Sequence, residues 1–126
     1  MINVPISEGD LIDKITILEI KIENISDKVK KENCKYEYEL LQKIAEENNI
    51  LFFKERAKLK NVNKQLWEIE DMLRMKEKEE IFDQEFIEIT RNEYRANDLR
   101  AKIKRKINLV AGSLILEEKD YVNYNK

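Results

Sequence analysis

Apolar residues return every three to four positions along most of the chain, the spacing of one face of an α-helix. Leu11, Ile15, Leu18, Ile22 and Ile25 step in this way and predict a first helix from about Glu8 to Ile25. Ser7 stands where an N-cap is needed, with Asp10 three residues on as an acidic form of the capping box. Ile17 and Ile20 fall off that seam, so this helix is expected to be covered on two sides, by neighbouring helices or by a second copy. Ser26-Asp27 marks a break. A weaker seam of Val29, Tyr36, Leu40, Leu41 and Ile44 predicts a second helix, Asp27 to Glu47, which Asn48-Asn49 interrupts. Leu59, Val62, Leu66, Ile69 and Leu73 predict a third, Leu51 to Lys78. Leu99, Ile103 and Ile107 belong to a fourth, Gln84 to Ala111, capped by Asp83 and ended by Gly112 in a left-handed conformation. Residues 2–6, INVPI, read as an extended lead-in. Residues 113–126 read as a tail, of which Leu114 to Leu116 are expected to pack back while the end frays.

The expectation is one all-α domain over residues 1–126, an antiparallel bundle of three to four helices joined by short loops. Two of the helices would be long, about 28 residues or roughly 40 Å each.

Polar residues also keep helical register. Beside its apolar seam the fourth helix carries Tyr94, Asn97, Ala101, Lys104 and Asn108. The third carries Asn63, Trp67, Glu70, Arg74 and Glu77, with Glu70 and Arg74 in the favourable i,i+4 order. The first has Asp13, Thr16, Ile17 and Ile20 opposite its main seam. Converging stripes would form a partly buried polar cluster of Asn63, Glu70, Arg74, Glu77, Asn97, Arg100, Lys104 and Asn108, walled by Trp67 and Tyr94. Buried charge must be paired and hydrogen-bonded. Such a cluster is therefore either an interhelical ion-pair and amide network that fixes register, with Glu70, Glu77 or Asp98 paired to Arg74 and Arg100, or a pocket. In a pocket, Arg74, Arg100 and Lys104 would bind an anion that Asn97 and Asn108 orient, since the arginine fork suits carboxylate and phosphate.

Composition narrows the chemistry. Charged residues are 40% of the 126, yet the net charge is only −2, so the molecule as a whole does not attract polyanions. Two glycines and one proline are too few for many tight turns, which again favours long helices. No histidine is present and Cys34 is the lone cysteine. A disulfide within the chain, most zinc, copper and haem sites, and histidine-based acid–base catalysis are thereby excluded; no cofactor and no metal site is expected. MINVPISEGD has no cationic segment followed by an apolar run, and no stretch approaches a membrane span. The expected setting is a reduced cytoplasm with no membrane contact.

Two further patterns carry less. Arg100 to Lys106 is strongly basic, but its charges spread around the helix and cations suit a helix C-terminus anyway, so nucleic acid is not the expected partner. Glu68-x-x-Asp71, Glu85-x-x-Glu88, Glu93 and Asp98 resemble the carboxylate pairs with which all-helical pyrophosphohydrolases hold Mg²⁺. With 26 acids in the chain a solvated face explains them.

Several segments resemble the uncharacterised bacterial and phage family numbered 6165 among domains of unknown function. They are VPISEGDLIDKITILEIKIENI, VNKQLWEIEDMLRMKE, FIEITRNEYRANDLRAKIKRKINLVAGS and EEKDYVNY, with W-x-I-E-D, N-D-x-R-A and I-N-x-x-x-G-S in order. The chain departs from the family pattern where relatives read Ala-Arg-x-x-Tyr and it reads Ile-Thr-Arg-Asn-Glu-Tyr. The resemblance implies a setting near cell-surface polysaccharide genes and no mechanism. It marks Asp13, Asn63, Trp67, Glu70, Arg74, Asn97, Asp98, Arg100, Lys104 and Asn108 as pattern positions.

The expected function is that of a small non-catalytic helical module, self-associating, most simply as a dimer, or binding a partner protein, with an exposed apolar stripe on the first or second helix as its mark. The alternative is a ligand-binding protein or enzyme. Its inter-helix pocket, lined by Asn63, Trp67, Glu70, Arg74, Tyr94, Asn97, Arg100, Lys104 and Asn108, would take a sugar phosphate or nucleotide.

Overall fold

Four helices and no strand make up the structure, a computed structural model that describes residues 1–126. They are α1 (Glu8–Asn24), α2 (Lys28–Glu47), α3 (Phe53–Glu79) and α4 (Gln84–Ala111). Their ends follow from local chemistry. Ser7 Oγ accepts from the Asp10 N–H at 3.1 Å, Asp27 from the Lys30 N–H at 2.9 Å and Asp83 from the Phe86 N–H at 3.0 Å, each satisfying a donor that the first helical turn leaves free. Gly112 ends α4 at φ 69°, and the Ser113 N–H returns to the Asn108 carbonyl at 2.8 Å, a left-handed close that glycine adopts without steric cost. The start of α3 departs from expectation. Phe52 is itself left-handed, at φ 42°, so the chain turns there, and Ile50 and Phe52 pack against the core instead of extending the helix.

The bundle is organised around α1, which packs on each of the other three helices. Ile12 joins Leu59, Val62 and Ile69 of α3 and Ile103 and Ile107 of α4 in the main core. Leu11 and Ile15, on the other side of α1, meet Ala45 of α2 in a smaller one. The two-sided apolar pattern of α1 is thus consumed within the fold, and an exposed stripe on this helix is not found.

Three details of the apolar pattern are corrected. Leu99 lies outside the seam of α4 and is 48% exposed; the buried line is Ile89, Ala96, Ile103 and Ile107, because α1 meets α4 from the side of Ile103 and Ile107. On α2, Val29 is 71% exposed, and Tyr36 and Ile44 are also exposed. This helix packs its apolar side on α1, with Tyr38, Leu41 and Ala45 at the contact, and reaches α3 only through the bond from Arg56 Nη1 to Gln42 Oε1 at 2.9 Å, so half of its expected seam has nothing to face. In the tail, Leu114, Ile115 and Leu116 are exposed, and polar residues return to α4 in their place.

The α3–α4 hairpin outruns α1, having 27 and 28 residues in its arms against 17. The ion pairs around its turn, such as Lys76 with Asp83 and Arg91 with Glu88, stay within the hairpin. Met75, Phe82 and Ile87 are exposed there. No helix of the structure is long and apolar enough to cross a membrane.

Candidate functional site

Asp13 is the organising group. Its helical position on α1 points it at the crossing with α3 and α4, and it is only 3% exposed. Arg100 of α4 straddles its carboxylate, Nε to Oδ1 at 3.0 Å and Nη2 to Oδ2 at 2.5 Å, the two-pronged geometry that a guanidinium presents to a carboxylate. Asn63 of α3 donates from Nδ2 to the same Oδ1 at 2.8 Å and to Thr16 Oγ1 at 3.0 Å. The Thr16 hydroxyl donates in turn to the Asp13 carbonyl at 2.8 Å. One carboxylate on α1 therefore ties α3 to α4.

One turn along α4, Lys104 is also buried. Its ammonium sits 2.9 Å from Asp10 Oδ1, 2.8 Å from Glu117 Oε2 and 3.9 Å from Asp13 Oδ2. Burial works to lower its pKa, but Glu117, Asp10 and Asp13 together outweigh burial and hold it above the ordinary lysine value. The bonds to Asp13 likewise raise the Arg100 pKa against the effect of burial. Both cations are locked in the charged state by carboxylates of the fold itself.

A further turn on, Asn108 Oδ1 accepts from the Gly9 N–H at 2.7 Å. An amide of α4 thereby satisfies a free donor in the first turn of α1. The approach requires glycine: a Cβ on residue 9 would lie 2.6 Å from the Lys104 carbonyl oxygen and 2.7 Å from Asn108 Oδ1.

Beside this network runs an open groove of about 390 Å³, lined by Ile17, Ile20, Trp67, Glu70, Arg74 and the edge of Arg100. Arg74 is exposed and paired with Glu70 on its own helix. That pairing lowers the Glu70 pKa, whereas burial and then Glu70 itself raise that of Glu93 across the hairpin.

The stripes therefore converge in part. Asn63, Arg100 and Lys104 join one network around Asp13, Asn108 makes a separate buried bond to Gly9, and Trp67, Glu70 and Arg74 line the groove beside them. Asn97 is half-buried and takes no part in the hydrogen bonds of the network. Glu77 is exposed on the protruding hairpin. Tyr94 is exposed and packs edge-on against Tyr124 at 5.1 Å, far from a walling role; the Tyr124 hydroxyl donates to Asp98 at 2.6 Å. The partner of Arg100 is neither Glu70, Glu77 nor Asp98 but Asp13, which the sequence placed on the right face of α1 without linking it to Arg100. Glu117 was missed altogether, since no helical period extends into the tail. The loose carboxylate pairs of α3 and α4 do not gather: no three acidic or cysteine side chains come together as a metal-binding group.

On the opposite face of the hairpin, turned away from α1, lies a second groove of about 820 Å³ between α3 and α4. Leu99, Leu109 and Val110 supply exposed apolar surface there, and Lys58, Lys102 and Lys106 stand at its rim.

A model of the family described as a family of unknown function, DUF6165, matches residues 2–125. No curated protein and no solved structure matches the chain.

Proposed function

We propose that the chain, which belongs to the DUF6165 family, acts as a non-catalytic helical module that associates with a second copy of itself. The observation that carries this reading is the long hairpin of α3 and α4. It leaves Met72, Met75, Ile87 and Leu99 exposed on its two helices and Phe82 exposed in its turn. Of these, Met72 and Leu99 line one shallow groove between the two helices, and contiguous exposed apolar surface marks an interaction site. The polar cluster supports the same reading from the other side. Arg100 and Lys104, the cations an anionic metabolite would need, already hold Asp13, Asp10 and Glu117. A ligand would have to displace carboxylates that the fold supplies at high effective concentration. The cell-surface polysaccharide or phage setting is part of this proposal and rests on the family resemblance alone, as does placement in the cytoplasm on composition.

Light scattering coupled to size exclusion tests the reading. A mass near twice the 15.2 kDa of one chain at micromolar concentration is the expected result, and a single-chain mass up to 100 μM rejects it. One observation favours a second reading, an anion site: Trp67 and Arg74 share the groove with Arg100. Trp67 is the only tryptophan, so its fluorescence reports on that groove. A spectrum unchanged by millimolar nucleotide or sugar phosphate removes the second reading.

A further inference from the structure

The outer face of the α3–α4 hairpin is electrically polar along its length. On α3 the positions seven residues apart on this face are Lys58, Gln65, Met72 and Glu79; on α4, running the other way, they are Lys106, Leu99, Asn92 and Glu85. Both rails carry lysine at the end of the hairpin nearest α1 and glutamate near the turn. Gln65, Met72, Asn92 and Leu99 line one shallow groove, and Gln65 and Leu99 also line the larger groove that contains Lys58 and Lys106, so these six positions form one continuous strip, and Glu79 and Glu85 follow it seven residues further toward the turn. The ends are only lightly engaged within the chain. Lys106 is 55% exposed beside Glu55 at 3.3 Å, and Glu85 is 69% exposed beside Lys76 at 3.7 Å.

From this we infer that two copies dock through this face in an antiparallel, two-fold arrangement. The lysine end of each hairpin lies on the glutamate end of the other, and Leu99 and Met72 meet near the axis. The inference rests on the self-association reading and deepens it by naming the face and the direction. A two-fold interface must be self-complementary. Antiparallel docking makes it so at both ends, whereas a parallel arrangement would set lysine on lysine and glutamate on glutamate. Size agrees: two adjacent helices about 40 Å long and together about 20 Å wide present about 800 Å² per copy, the scale of a standard stable interface. The product is a four-helix layer of two hairpins, with α1 and α2 on its outer sides.

A charge exchange tests it. Variant one carries Lys58→Glu and Lys106→Glu; variant two carries Glu79→Lys and Glu85→Lys. All four positions lie outside the buried network, and circular dichroism checks that each variant folds. Each variant alone should dimerise about 100-fold more weakly than the wild type or worse, because both ends of its interface become like-charged. An equimolar mixture of the two should dimerise again, since every contact then pairs opposite charges. Sedimentation equilibrium reads all three states. A monomeric wild type overturns this inference and the self-association reading together, leaving the face to an unrelated partner. A wild-type dimer that neither variant weakens overturns this face alone and leaves self-association standing. Variants that dissociate yet fail to pair on mixing overturn the antiparallel direction.

Discussion

At the scale of single residues, the molecule turns on Asp13. Its carboxylate takes a two-pronged contact from Arg100 and a hydrogen bond from Asn63, with Lys104 3.9 Å away. Asp13→Asn preserves shape but removes the charge, leaving the half-buried Arg100 without a counter-ion. Removing one partner of a buried pair costs about 3–5 kcal/mol. Arg100 retains some access to water, with its side chain 29% exposed, so the low end, about 3 kcal/mol, is expected. A urea unfolding curve checks it; an unshifted midpoint would mean that solvent can replace Asp13 at no cost. Much of this site could be read from the sequence, because a polar residue kept in helical register beside an apolar seam is expensive unless something answers it. Asn63, Lys104 and Asn108 were found on that ground, and Arg100 as a cation beside them. Their acidic partners were not, since 26 carboxylates offer too many candidates and periodicity fixes a face without fixing which helix it meets. Tyr94 and Glu77 shared the register of the stripe but are exposed, Tyr94 beside Tyr124 of the tail and Glu77 near the hairpin turn, so register alone misplaced them.

At the scale of elements, caps and terminators made the helix ends legible, and tertiary contact decided what they could not. Ser7, Asp27, Asp83 and Gly112 each announced a boundary and each sits at one. The onset of α3 was misjudged because Phe52 turns left-handed to bury itself, a choice made by the core and invisible to local propensity. The α2 seam was over-read for a related reason: an apolar period shows that a helix can bury a face, and only one neighbour arrived. The crossing of α1 and α4 gives the sharpest test at this scale. In a helix, Gly→Ala ordinarily stabilises by about 0.5–1 kcal/mol. At Gly9 the sign reverses, because the new Cβ would lie 2.6 Å from the Lys104 backbone oxygen, which cannot swing aside as a side-chain tip can. Relieving the clash requires α4 to move, which would lengthen the Gly9–Asn108 bond and shift Lys104 against Asp10. A loss of about 1–3 kcal/mol is expected, measured as a fall in melting temperature. A rise on Gly9→Ala would show that the two helices do not approach so closely.

At the scale of the whole molecule, stability and association belong to different parts of the fold. Apart from one side-chain bond to Arg56 of α3, α2 packs on α1, contributing Ala45 as its one fully buried residue, and its first turns carry the exposed Val29 and Tyr36. An element with so little burial opens at a lower free energy than the core that α1, α3 and α4 share. Native-state hydrogen exchange should therefore show α2 amides losing protection at low denaturant as one group, while those of α1 and the middle of α3 and α4 follow global unfolding. The same measurement separates the fold from its association. Raising the protein concentration stabilises whatever a dimer holds together, by mass action. Protection should then rise across the core that includes α3 and α4, while the local opening of α2, which exposes no part of the hairpin's outer face, should keep its free energy. Were α2 to gain protection with concentration in step with α3 and α4, the second copy would be sitting on the α2 side of the bundle, where Val29, Tyr36 and Ile44 offer the other exposed apolar surface.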